Sequence, residues 1–134
     1  MIERLLIVLA LLLLTVALVQ VARALARRRT GALIGTPASD ALRARLPASG
    51  PAVVYFYGPQ CAPCVEQARE LDELAREGGA VIVALDATQE RDLADSLDVF
   101  MIPTTALVDA QGRVRRINLG YYPKRALALQ LAAL

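Results

Sequence analysis

Two cysteines, Cys61 and Cys64, are the only ones in the chain, and two residues separate them. They lie in Gly58-Pro59-Gln60-Cys61-Ala62-Pro63-Cys64, directly after an apolar, β-favouring run and at the start of a segment with helical periodicity. A helix N-terminus carries unpaired N–H groups and the positive end of the peptide dipole, so it stabilises an anion. Cys61 should therefore lose its proton more readily than a free thiol and serve as a nucleophile. Cys64, one turn in, should be shielded and able to attack only a sulfur already attached to Cys61. Pro63 stiffens the turn without sacrificing a helical hydrogen bond, because first-turn amides have no acceptor within the helix. The same two thiols could instead hold Cu(I) in a non-enzymatic carrier or assembly factor, whereas tetrahedral zinc would need two further ligands that no His or Cys supplies.

Composition closes off other chemistry. With no histidine, the chain can build no His-dependent triad, His-bearing zinc centre or imidazole general base. Fifteen basic and thirteen acidic residues leave a net charge of +2, and the balance is uneven: +4 over residues 1–36 and −2 beyond them. The part expected to fold is thus mildly acidic, and no nucleic-acid partner is expected.

The pattern from Pro37 onward is that of one globular domain, for which 134 residues leave room. Ser39 can cap a short helix with Leu42 and Leu46 on one face, ended by Pro47 and Gly50-Pro51. Residues 52–57 are apolar at every position, as in a strand covered on both faces. A helix is predicted over 61–77, with Val65, Ala68, Leu71 and Ala75 on its apolar stripe and Gly78-Gly79 as its stop. Residues 80–85 form a second apolar strand, and strand, helix, strand over this length makes a right-handed βαβ unit with parallel strands. Thr88, Glu90 and Asp92 open a short helix to about Leu97. Residues 104–108 and 113–119 flank Asp109-Ala110-Gln111-Gly112 as an antiparallel hairpin, with Arg113, Arg115 and Arg116 suited to an exposed edge. Pro123 starts a closing helix carrying Leu127, Leu131 and Leu134. The expected fold class is α/β, a mixed four-stranded sheet flanked by helices.

One N-terminal transmembrane helix precedes it in this reading. Sixteen of the eighteen residues from Leu5 to Ala22 are apolar, and an eighteen-residue helix spans about 27 Å, close to a hydrocarbon core. Cleavage after Ala24-Leu25-Ala26 would leave Arg27, Arg28 and Arg29 to start the mature chain, and such a cationic cluster resists translocation. An uncleaved single-pass anchor in the cell membrane is therefore expected. Arg4 stands before the span against Arg23, Arg27, Arg28 and Arg29 after it, which puts the domain on the cytoplasmic side, although a Leu-rich start of this kind also suits an exported, extracytoplasmic domain. The expected division is residues 1–29 as anchor and basic flank, 30–39 as linker and 40–134 as the folded domain. Ten linker residues reach at most roughly 35 Å, so the domain would work close to the bilayer.

From Pro51 to Leu134 the chain resembles the thioredoxin family. The resemblance rests on Cys61-Ala62-Pro63-Cys64 after an apolar strand, Ile102-Pro103-Thr104 opening the hairpin, Gly112 in its turn and Gly120 before the last helix. It implies a thioredoxin-like fold and a thiol-disulfide oxidoreductase of protein-disulfide reductase type, which the apolar span would make membrane-tethered. Its redox-active disulfide would be Cys61–Cys64, with no further cofactor or metal and with protein disulfides or dithiols as substrates. It also implies that Pro103 is cis and faces the cysteines, and that Ile102, Pro103 and Gly120 bind substrate. The chain departs from the family pattern in three ways: Gln60 replaces a Trp before the first cysteine, Tyr55 replaces an acidic residue six positions before it, and the lysine partner of that acid is missing, since Lys124 lies in the last helix. Either a water or a carboxylate such as Glu66 would then serve the buried cysteine, or exchange would be slow. The Ala62-Pro63 pair resembles the Gly-Pro pair of reducing members.

Overall fold

The computed structural model describes all residues, Met1–Leu134, in two compact units, Met1–Ala32 and Leu33–Leu134. The first is helix α1 (Ile2–Leu33), on which no residue is buried. It is long and apolar enough to cross a membrane, and it runs through the arginine cluster and past Thr30, where a linker was expected to begin. The rest of that expected linker is also largely structured. Gly35 N–H donates to Val114 O at 2.7 Å, Val114 N–H to Thr36 O at 2.9 Å and Ala38 N–H to Gly112 O at 2.8 Å.

The second unit contains helix α2 (Asp40–Arg43), strand β1 (Ala52–Tyr57), helix α3 (Ala62–Arg76), strand β2 (Val81–Asp86), helix α4 (Arg91–Ser96), strands β3 (Thr104–Val108) and β4 (Val114–Leu119), and helix α5 (Lys124–Ala132). The four strands form one sheet in the order β2-β1-β3-β4. β1 and β2 are parallel, as the βαβ unit requires, and β3 is antiparallel to both β1 and β4. The hairpin turn is held by Asp109, whose Oδ1 accepts from the amides of Gln111 and Arg113, and Gly112 supplies the left-handed φ of +75° that a bulkier residue would resist.

Alternation along the two central strands divides the core into two layers. Val54 and Phe56 of β1 and Ala106 and Val108 of β3 point to one face, where Leu42, Leu93 and Leu97 cover them. Val53, Tyr55 and Leu107 point to the other, against Leu71 and Leu74 of α3 and Leu127 of α5. The expected apolar stripe of α3 needs correction. Val65 and Ala75 are exposed, and the buried face is Cys64, Gln67, Leu71 and Leu74. A glutamine thus takes a core position, because both ends of its amide find backbone partners in another segment. β2 is apolar yet lies at the sheet edge, with Val81 and Ala84 exposed.

Two polar clusters tie α3 and α5 into this frame. Lys124 Nζ reaches Glu77 at 2.8 Å and Glu73 at 3.0 Å. These contacts raise the lysine above its ordinary value and hold Glu73 below its own. Buried Thr105 and Asn118 face each other across β3 and β4, and Asn118 exchanges hydrogen bonds with Gln130 of α5. No buried side-chain N or O atom lacks a partner.

Candidate functional site

β1 ends at Tyr57 and the chain turns through Gly58-Pro59-Gln60 into α3, so the cysteines emerge at the C-terminal end of a central strand. Gln60 takes a left-handed φ of 54°, an unfavourable backbone state for a residue with a side chain. Sequence reasoning singled out Gln60 only as the replacement for a Trp. Cys61 is the N-cap of α3 in an extended conformation, and Pro63 lies in the first turn. Cys61 and Cys64 are joined by a disulfide with a Cα–Cα distance of 5.2 Å. Cys61 is half-buried, while Cys64 is only 5% exposed. Cys61 is therefore the more exposed member of the pair.

Ile102, Pro103 and Gly120 lie near this turn. Phe56 pairs with Thr104, which brings the residues just before β3 beside the residues just after β1. The Ile102–Pro103 peptide bond is cis, and Pro103 is buried. A Cβ on Gly58 would lie 2.8 Å from Ile102 Cδ1, so the isoleucine side chain rests directly on the turn that leads to Cys61. Gly120, at φ +83°, donates its N–H to Pro103 O at 2.8 Å.

A separate cleft of about 730 Å³ opens beside the disulfide, and Ile102, Pro103 and Gly120 are not among the residues lining it. Its walls come from the end of β1 at Tyr55 and Tyr57, from Ala84 of β2, from Gly58 and Gln60 of the turn, and from the first turns of α3 with both cysteines. Tyr55, 4% exposed, donates its hydroxyl hydrogen to Cys64 O at 2.6 Å. Burial, with a smaller effect of Tyr57, pushes this phenol above its ordinary value of 10.0, so Tyr55 is neutral at physiological pH and anchors the first turn of α3 rather than acting as a base. Glu66, the carboxylate considered for that service, is exposed and pairs with Arg69.

The Tyr55 contact leads to a stability prediction. Tyr55→Phe should cost about 0.5 to 1.5 kcal/mol in urea unfolding of the oxidised protein at pH 7. A raised folded-state pKa on an acid means that its contribution is fully present below 10.0 and is lost as pH rises through the folded value. The alkaline decline in stability should therefore be shallower in Tyr55→Phe, with Tyr121 and Lys124, both also raised, contributing to the remainder as they deprotonate. Parallel pH curves for variant and wild type would show that Tyr55 is not the group responsible.

The profile of the thioredoxin family matches residues 37–133, which is most of the chain. The chain belongs to the thioredoxin family. Thioredoxin-like protein CITRX1, chloroplastic, of Nicotiana benthamiana is 39% identical over 56 residues, covering 40% of this chain and 31% of that protein. The CITRX protein of Arabidopsis thaliana shows the same identity and coverage. The match thus spans about a third of these relatives' length. Among solved structures, a mutant thioredoxin from Halobacterium salinarum superposes with a TM-score of 0.64 at 21% identity, over 75% of this chain and 88% of that one. Fasciola hepatica thioredoxin superposes with a TM-score of 0.59 at 20% identity, over 69% and 86%. At such identities the likeness concerns the fold.

Two features of this thioredoxin-family site escaped sequence reasoning. One is the reach of the Tyr55 hydroxyl to Cys64 O. The other is Gln67, whose burial could have been found by stepping three, seven and ten residues along the helix from a shielded Cys64.

Proposed function

We propose that this chain is a membrane-tethered thiol-disulfide oxidoreductase that uses Cys61 as nucleophile and Cys64 as resolver. The observation that carries the reading is the bonded pair at the start of α3, with Cys61 half-buried and Cys64 buried. In the reduced protein, the Cys61 thiolate attacks one sulfur of a substrate disulfide. A mixed disulfide forms, and the other substrate sulfur leaves as a thiolate that takes up a proton. Cys64 then loses its proton and attacks Cys61 Sγ, which releases the second substrate thiol and regenerates the Cys61–Cys64 disulfide. Two electrons pass from the dithiol to the substrate.

Ile102, Pro103 and Gly120 are proposed to form the substrate-binding side, where the turn before β3 and the segment before α5 meet the cysteine loop. Substrates are protein disulfides or dithiols at the membrane surface. The apolar span of α1 anchors the protein in the cell membrane by a single pass, and the excess of arginine after the span favours a cytoplasmic domain.

The test is reduction of insulin by the full chain in detergent micelles, with dithiothreitol as electron source, beside Cu(I) titration against a strong chelator. Catalysed reduction that requires both cysteines supports the reading. Tight Cu(I) binding without catalysis would replace it with the carrier reading.

A further inference from the structure

The segment Gly120-Tyr121-Tyr122-Pro123 links β4 to α5 without regular secondary structure, so its backbone groups must find partners elsewhere. Helix α3, which carries both cysteines, supplies them. Gln67 Nε2 donates to Tyr122 O at 2.9 Å, and Tyr122 N–H donates to Gln67 Oε1 at 2.7 Å. One turn on, a Glu70 carboxylate oxygen accepts from the Lys124 N–H. Gln67 is fully buried and stands three residues after Cys64 on the same face. Two residues before Tyr122, Gly120 is bonded to Pro103 O. The connection runs from the cysteine helix through one amide side chain to the segment that meets Ile102-Pro103.

We propose that Gln67 is a positioning residue for disulfide exchange, holding the Gly120–Tyr122 segment at a fixed height beside the cysteine loop and so setting affinity for protein substrates. This inference rests on the oxidoreductase reading above and deepens it. An extended substrate chain needs a wall of defined backbone to lie against, whereas a small disulfide needs only access to Cys61 Sγ. The reciprocal pairing suits the role, because a side-chain amide bonded to both the N–H and the C=O of one residue holds the peptide groups on both sides of that residue. An apolar side chain of similar size, such as Met or Leu, offers neither a donor nor an acceptor there.

The experiment measures insulin reduction and reduction of 5,5′-dithiobis(2-nitrobenzoate) by the full chain in micelles, for wild type and Gln67→Met. Met keeps the volume and loses both hydrogen bonds. The expected result is a rise in KM for insulin of at least fivefold. The kcat for insulin and the rate with the small disulfide should stay within twofold of wild type. An unchanged KM, or a loss shared equally by both disulfides, overturns the proposal, since the latter would mean general disturbance of α3. If Gln67→Met does not fold, Gln67→Leu takes its place. Leu offers neither a donor for Tyr122 O nor an acceptor for Tyr122 N–H, and a KM rise under twofold overturns the proposal. Amide hydrogen exchange provides a readout independent of activity. The Tyr122 N–H should be protected in the wild type and exchange at least tenfold faster in Gln67→Met or, where that variant does not fold, in Gln67→Leu. Equal protection overturns the positioning role. A wild-type protein inactive toward both disulfides, with Tyr122 protected as expected, would instead overturn the oxidoreductase reading and leave the tie between α3 and the segment standing.

Discussion

Replacing Cys64 by serine is expected to stall exchange at a mixed disulfide on Cys61, while Cys61→Ser should reduce exchange by roughly a thousandfold or more and leave no adduct. The asymmetry follows from where the two sulfurs lie. Cys61 caps α3 and is half-exposed, so an incoming disulfide can reach it, and the helix start favours the anionic form that does the attacking. Cys64 is buried beneath the first turn, which the Tyr55 hydroxyl ties to β1, and the sulfur within its reach is that of Cys61. Removing the resolver therefore leaves the first step and deletes the second. Mass spectrometry of non-reduced membrane extracts reads the adduct directly and identifies what was captured. Equal adduct yields from the two variants, or adducts on Cys64 in Cys61→Ser, would reverse the assignment of roles.

The sheet was readable because its signals are local. Unbroken apolar runs mark β1 and β2, Asp109 and Gly112 mark the hairpin turn, and the length between β1 and β2 forces a parallel crossover. The cysteine loop was readable for the same reason, since a strand end, a proline and a helix start lie within a few residues. What failed was local reasoning about contacts made far along the chain. Hydrophobicity placed Val65 and Ala75 on the buried stripe of α3 and did not single out Gln67, but Gln67 is satisfied by a backbone segment 55 residues away, so burying it leaves no polar atom unpaired. The apolar run of β2 likewise carries no sign that it is an edge strand. Edge or centre is decided by which strands pair, not by the run itself. Tyr55 shows both sides: its apolar setting was evident, but its hydroxyl contact depends on how α3 sits over β1.

The second large effect concerns the membrane. Leu12→Arg combined with Leu13→Arg is expected to move the protein from the carbonate-washed membrane pellet to the soluble fraction. Both positions lie at the middle of the Leu5–Ala22 span, where an arginine costs about 2.5 to 3.5 kcal/mol on the insertion scale and each lost leucine removes about 0.5 more. Two substitutions then disfavour the inserted state by roughly 6 to 8 kcal/mol, which is more than ten-thousandfold in partition. The folded unit from Leu33 onward has its own two-layer core, so release should not unfold it, and reduction of a small disulfide should persist in the soluble fraction. In the wild type, an impermeant protease added to intact cells should spare the domain, because four arginines follow the span and one precedes it. Digestion without lysis would place the domain outside. A soluble wild-type protein whose mature N-terminus is Arg27 would make the apolar segment a cleaved signal rather than an anchor.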